Sequence, residues 1–358
     1  MIKEIRIKNF KSVQKLKLDL GRVNVFIGAN GCGKSNILEA VTFGAAAAAD
    51  KLDNEFLASR GVRVTNHSMM RSSFGTIKND NDVNISFESP LKEMKLSLFL
   101  KSSDGDFPKW YPFIEEVEGL TGSTIEKMKE KLKVYSPLEY IKNFLIYAPE
   151  NLALRNFKSE AQIEPLGIHG EGLFYLLTIL SKDRNKHKLK EIKQYLKLFD
   201  WFEDFQLTAQ TFGQQSLAIQ DRFIHADLFE IDQRSANEGF LYLLFYLTLF
   251  ISDYTPPFFA IDNIDNALNP KLCAELTKIL TELAKKHEKQ VLLTTHNPAI
   301  LDGLDLSDEE NRLFVVYRNL DGHTKVRQVE KKEIQQSGDT VKLSEAFMRG
   351  YLGGLNKF

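Results

Sequence analysis

The sequence predicts an α/β fold: a mixed central sheet carrying a glycine-rich loop, an antiparallel β-subdomain at its N-terminal end, and a helical insertion that splits the core in two. Three observations predict it. Alternating apolar residues in IKEIRIKNF (Ile5, Ile7) and KLKLDL (Leu16, Leu18, Leu20) have the period of two expected of half-buried strands. The run VNVFIG leads directly into GANGCGKS, and SNILEAVTF continues with helical character, so strand, loop and helix follow without a gap. Far downstream, FFAID (258–262) and VLLTT (291–295) are continuous apolar runs of the kind buried parallel strands need, with KLCAELTKILTELAKKH between them as crossover helix.

The remaining elements fall between these. An alanine run at 45–49 favours helix, closes the one begun at Ser35 and specifies little packing. VNISFE (83–88) and KLSLFLK (95–101) alternate as an antiparallel pair at a sheet edge. From about residue 114 the reading turns mostly helical through IEKMKEKLK, GLFYLLTILS and KLKEIKQYLKLF, interrupted by YAPENLALRNF. The expected organisation is therefore one half of the core over 1–100, an insertion over 101–205, and the second half over 206–358.

At 358 residues the chain can bury a large core. With 47 basic and 48 acidic residues the net charge is −1, so no global field draws it to nucleic acid or to an anionic membrane. The longest apolar run, Phe240 to Ile251 broken only by Thr248, is too short to cross a bilayer, and the first residues open a charged strand; a soluble, cytoplasmic chain is expected. Cys32 and Cys273 have neither metal-ligand spacing nor the numbers of a disulfide framework.

Chemistry concentrates in GANGCGKS, which matches GxxxxGK[ST] at Gly28, Gly33, Lys34 and Ser35 between the strand and helix that this motif requires. Backbone N–H groups of such a loop curl around a β-phosphate at a helix N-terminus, where the dipole favours negative charge. The expected ligand is ATP with Mg²⁺, held by Gly28, Asn30, Gly31, Gly33, Lys34, Ser35 and Asn36. Lys34 would bridge β- and γ-phosphates, and Ser35 would ligate the metal. A second metal-facing carboxylate is expected at the tip of a buried strand, where Asp262 ends FFAID. Its wide separation from Lys34 points to an ABC-type head, and His296 then ends the next strand in the place of a switch histidine near the γ-phosphate.

Taken together, IRIKNFKSV, GANGCGKSN, IDN…NP, TTHNPAILD, VVYRNLDGHTKV and LSEAFMRGYLGG resemble the RecF/SMC-related ABC ATPases, particularly stand-alone AAA-annotated ATPases similar to the OLD family. The resemblance covers roughly 1–95 and 206–358. It implies an ABC-type P-loop ATPase head and a head-to-tail homodimer, or higher homo-oligomer, with ATP sandwiched between one subunit's loop and the other's signature segment. The signature candidate is SANEG, Ser235 to Gly239; aligned on Gly239, Asn237 falls where the family carries serine. Asn263 stands where the family's water-activating glutamate follows the metal carboxylate, so slow hydrolysis is expected, because an amide takes no proton. Asp265 is a partial substitute acting through a water, and 266–269 takes the place of the D-loop. A glutamine-bearing sensor loop is sought at Tyr147–Asn151, which contains no glutamine.

OLD-like relatives often fuse the head to a nuclease. The residues after Asp302 are filled by the tail motifs and leave no room for one, so a separate effector, a nuclease or toxin, is expected, in an antiphage role. A catalytically weak ATP-clamped scaffold and a RecF/SMC-like DNA-repair ATPase are the alternatives. The lysine-rich KMKEKLK and KDRNKHKLKEIK read as solvated helix faces that give DNA binding weak support, and Asp302, Asp305 and Asp308 read as turn-capping carboxylates.

Overall fold

A computed structural model describes residues 1–74, 82–89, 94–102, 109–116, 140–156, 163–209, 215–224, 231–330 and 341–354. The IEKMKEKLK segment lies outside the described residues. N-terminal alternation becomes β1 (Glu4–Phe10) and β2 (Val13–Asp19), an antiparallel pair whose inward residues Ile5, Ile7, Leu16 and Leu18 are buried. β1 also pairs with β4 (Val83–Ser89), which is followed outward by β5 (Met94–Ser102) and β6 (Trp110–Glu116), giving a five-stranded antiparallel sheet in the order β2-β1-β4-β5-β6. Pro112 inside β6 breaks the strand signature in sequence, which is why this stretch reads poorly as a strand.

The central sheet is assembled from both ends of the chain. β3 (Val23–Ile27) lies between β12 (Gln290–Thr295) and β13 (Asn311–Arg318), flanked by β11 (Phe258–Ile261), β7 (Ile146–Tyr147) and β14 (Thr324–Gln328), in the order β14-β13-β3-β12-β11-β7. All its pairings are parallel except β13 with β14. Within 101–205 the chain thus gives β6 to one sheet and β7 to the other, beside the helices there. A third, three-stranded sheet is formed by β8 (Phe202–Ala209), β9 (Gln215–Asp221) and β10 (Ile231–Asp232).

Because side chains alternate along a strand, β3 serves two cores: Val23, Val25 and Ile27 face one, Phe26 the other. The second core is sealed by α1 (Lys34–Ala48), wedged between the two large sheets, with the short α2 (Asn54–Ser59) and α3 (His67–Met70) beyond it. The alanine run proves to be a packing device and not merely a helix end. Ala45 and Ala46 are fully buried, and a Cβ on Gly44 would stand 2.8 Å from Ile85 and 2.9 Å from Phe87, so small residues let helix and sheet approach closely. Gly44→Val is accordingly expected to cost about 1–3 kcal/mol by overpacking, read as a lower urea midpoint at unchanged slope.

Opposite lie α4 (Asn151–Leu154), α5 (Leu173–Leu180), α6 (Lys186–Leu196), α7 (Glu238–Ile251) and α8 (Pro270–Lys286), with α9 (Leu343–Met348) closing the described chain. Every residue of α7 from Gly239 to Ile251 is buried, as a helix apolar all round must be. Its tyrosines find partners for their hydroxyls: Tyr242 donates to Pro149 O (3.1 Å) and Tyr246 to Ile264 O (3.2 Å). On α6, Lys188 pairs with Asp253 and Lys193 with Asp204, while Lys190 and, just past the helix end, Lys197 are exposed. Among the described residues no helix is long and apolar enough to cross a membrane.

Candidate functional site

Three neighbouring parallel strands, β3, β12 and β11, deliver the site residues at their carboxyl ends: the loop after Ile27, His296 after Thr295, and Asp262 after Ile261. That edge is where open α/β sheets bind ligands, since helix N-termini and loop N–H groups converge there. In the loop, Gly31 (φ 74°) and Gly33 (φ 107°) adopt left-handed backbone that a Cβ would strain, and Asn30 and Gly31 form the exposed tip. The outside of the loop is gripped by the C-terminal part of the chain. Arg318 Nε donates to Gly31 O (2.9 Å), Thr324 Oγ1 to Cys32 O (2.9 Å), and the Ala29 N–H to Gly354 O (3.3 Å).

Lys34 opens α1 and is 5% exposed. Its Nζ donates to Gly28 O (2.7 Å) and Ala29 O (3.1 Å) and lies 3.2 Å from His296 Nδ1. An ammonium has no lone pair, so Nδ1 must accept and the imidazole is neutral with its proton on Nε2. Burial pushes the Lys34 pKa down, and burial followed by the Lys34 charge pushes that of His296 down, in keeping with this tautomer. Cys32 is buried and its thiol pushed up, a structural cysteine.

Ser35 Oγ donates to Asp262 Oδ2 (2.9 Å), bringing together the two predicted metal ligands from opposite halves of the sequence. Thr294 braces them: its hydroxyl donates to Asp262 Oδ1 and accepts from the Asn263 N–H (2.9 Å). One hydroxyl and one carboxylate fit Mg²⁺, which takes few protein oxygens and fills its octahedron with water and phosphate. Asn263 is held in left-handed backbone (φ 55°), which asparagine tolerates better than most residues. Asp265 Oδ1 accepts from Thr295 Oγ1 (2.7 Å) and from the His296 N–H (3.3 Å), which places it as a brace under the histidine.

A cleft of about 300 Å³ adjoins this pair, lined by Ser35, Asp262, Glu39, Arg63, Ala148 and His169 among others. Glu39 is buried on α1 and paired with both Lys11 and Arg63. The Tyr147–Asn151 segment reaches the cleft through Ala148, and Tyr147 O accepts from the Asp262 N–H (2.8 Å).

Asn36 donates from Nδ2 to Ser12 Oγ (2.7 Å) while its Oδ1 accepts from Arg63 (3.3 Å). Asn237 caps α7, its Oδ1 accepting from the Phe240 N–H (3.2 Å), and Gly239 faces Ala267 O of the 266–269 segment. Among the described residues no hydrogen bond joins Asn237 or Gly239 to the loop at 28–35. The three aspartates of the 302–308 stretch are engaged as caps and pairs: Asp302 with Ser344, Asp305 with Ser307, Asp308 with Glu310 N–H and Lys285. Sequence reasoning missed Thr294, Thr295, Ser12, Thr324, Arg318 and Arg63. The paired threonines ending an otherwise apolar strand were the one signal available for the first two.

Fold and site together define an ABC-type P-loop ATPase head of the kind found in SMC and RecF proteins. The chain belongs to the family described as "AAA domain, putative AbiEii toxin, Type IV TA system", whose model matches residues 23–302. A solved SMC head bound to the C-winged helix domain of ScpA is similar over 93% of this chain and 99% of that one, with a TM-score of 0.61 at 16% identity. The SMC head domain from Thermotoga maritima is similar over 92% and 99%, with a TM-score of 0.51 at 15% identity. Likeness at such identities is a likeness of fold. Among curated proteins, the DNA replication and repair protein RecF of Lactococcus lactis subsp. lactis is 28% identical over 199 residues, 55% of this chain and 46% of RecF. An uncharacterized protein of Methanocaldococcus jannaschii is 26% identical over 162 residues, 38% of this chain and 49% of that protein. The chain thus spans about half the length of the curated relatives it matches.

Proposed function

We propose that this chain is a cytosolic, slowly hydrolysing ATPase whose ATP–Mg²⁺ complex serves mainly to clamp two copies head to tail, and that the clamped dimer controls a separate effector. The observation that carries this reading is the joined pair Ser35–Asp262 beside a phosphate loop, with Asn263 as the next residue. The machinery for holding Mg–ATP is assembled, whereas the position that follows the carboxylate has no group able to take a proton from water. Asp265 is engaged with Thr295 and His296, which supports a bracing role for it over that of a stand-in base. Asn237 and Gly239, at the N-terminus of α7 and, among the described residues, without a hydrogen bond to their own chain's loop at 28–35, are suited to meet the phosphates of a second copy. The effector is proposed to be a toxin or nuclease in antiphage defence. The family's description names a toxin and the resemblance to OLD-like ATPases points the same way.

The test is steady-state ATP turnover of the wild type and of Asn263→Glu, with the mass of each in solution with and without ATP. Glutamate is expected to raise turnover at least about tenfold, part of the roughly 10²–10⁴ that a well-placed base contributes. Turnover equal in the two proteins would refute the clamp. ATP-independent monomers would refute the sandwich dimer. The RecF match supports a second reading, DNA repair, for which added duplex DNA should stimulate turnover; the net charge of −1 weighs against it.

A further inference from the structure

Two motifs that the clamp leaves without a role, NFKSV near the start of the chain and GHTKV near its end, meet behind the phosphate loop. Ser12 Oγ and Thr324 Oγ1 lie 2.7 Å apart, 5% and 0% exposed. A Cβ on Gly33 would stand 2.1 Å from Thr324 Oγ1 and 2.8 Å from Ser12 Oγ, so the pair rests directly against the loop.

The direction of every bond in this cluster can be worked out. Thr324 has one hydroxyl proton, and it goes to Cys32 O at 2.9 Å. Ser12 must therefore donate to Thr324, leaving its lone pairs to accept from Asn36 Nδ2 at 2.7 Å. Arg63 fixes the Asn36 amide the same way round, because a guanidinium can only donate and Oδ1 faces it at 3.3 Å. The relay runs one way: Asn36 to Ser12 to Thr324 to the Cys32 carbonyl. A trans peptide is planar with C=O and N–H opposed, so turning the Cys32 carbonyl outward to Thr324 turns the Gly33 N–H to the other side. In a loop of this motif that other side is the one on which N–H groups receive phosphate.

We infer that Thr324, backed by Ser12 and Asn36, is a positioning residue that sets the Cys32–Gly33 peptide for diphosphate binding. The inference rests on the loop being a nucleotide site. A purely structural role is weakly served by these hydroxyls, because the turn and the hairpin are already tied by the Thr324 N–H to Ser12 O bond at 2.8 Å.

The experiment is calorimetric titration of the full chain with ADP, for the wild type, Thr324→Val and Thr324→Ser, with melting of each protein without nucleotide. Valine keeps the shape and removes the donor; ADP is expected to bind about tenfold more weakly, as for loss of one bond supporting a charged group. Serine restores the donor and should bind within about twofold of the wild type, with the nucleotide-free melting points close together. A valine variant that binds ADP like the wild type overturns the inference, and so does a serine variant as weak as valine, which would assign the effect to the methyl group. Should Thr324→Val fail to fold, Ser12→Ala breaks the relay one bond back and is judged on the same scale, unchanged ADP affinity overturning it. Wild-type protein without ADP binding would overturn the nucleotide reading itself, a result visible before any substitution is made.

Discussion

Lys34→Ala is expected to raise the Kd for ATP–Mg²⁺ at least about a hundredfold. An ammonium between two phosphates makes charge-assisted hydrogen bonds worth roughly 1.5–3 kcal/mol each, and each 1.4 kcal/mol is a factor of ten. In the structure this ammonium is already gathered against Gly28 O, Ala29 O and His296, so little ordering cost opposes its use. Removing it should not unfold the protein. Lys34 is a buried cation whose pKa is lowered by desolvation, so alanine relieves that cost and offsets the two carbonyls left without their donor. The signature is therefore selective: a melting point near the wild type's without nucleotide, and loss of the rise that ATP gives the wild type. That rise is worth about 2.7 kcal/mol at a hundred times Kd. Calorimetry and melting curves with and without ATP–Mg²⁺ check both halves, and tight binding by the alanine variant would move the site away from residues 28–35.

Tyr246→Ala should cost about 3–5 kcal/mol of folding stability, the range for removing a fully buried aromatic. Its ring packs among Tyr242 and Phe245 on α7, a helix whose apolar side chains belong to one of the two cores. Tyr246→Phe separates packing from bonding. It keeps the ring and frees Ile264 O, at a cost of about 1 kcal/mol. Ile264 follows Asn263, so the phenylalanine variant should disturb the left-handed turn after Asp262 out of proportion to its small stability loss, visible as altered ATP turnover. Urea unfolding of both variants decides the case: an alanine variant within 1 kcal/mol of the wild type would contradict the burial of this helix.

The elements that could be read in sequence are those where one physical signal dominates. Continuous apolar runs disclosed β11 and β12, period-two alternation disclosed β1, β2, β4 and β5, and the glycine spacing disclosed the loop. β7 has only two residues, Ile146 and Tyr147, and no periodicity can be read from so short a strand; it is recognisable solely by its pairing with Ala260 and Ile261. The site divides in the same way. Lys34, Ser35, Asp262 and His296 are set by local spacing at strand ends, and they do converge. Ser12 and Thr324 act through partners hundreds of residues away and Thr294 through residues that end another strand, and a serine or threonine carries no mark of such a partner. Asn36, expected beside the nucleotide from its adjacency to the motif, has its amide on Ser12, a partner that adjacency does not announce.

The grip that β13, β14 and the 350–354 segment exert on the phosphate loop has a consequence for the order of events in synthesis. The loop leaves the ribosome well before the groups that fix its outer face, on Arg318, Thr324 and Gly354, which interact with Gly31, Cys32 and Ala29 across sequence separations of 287 and 292 for the first two. The supports of the loop are thereby acquired late: a product that stops between the loop and residue 354 carries the motif without all of them.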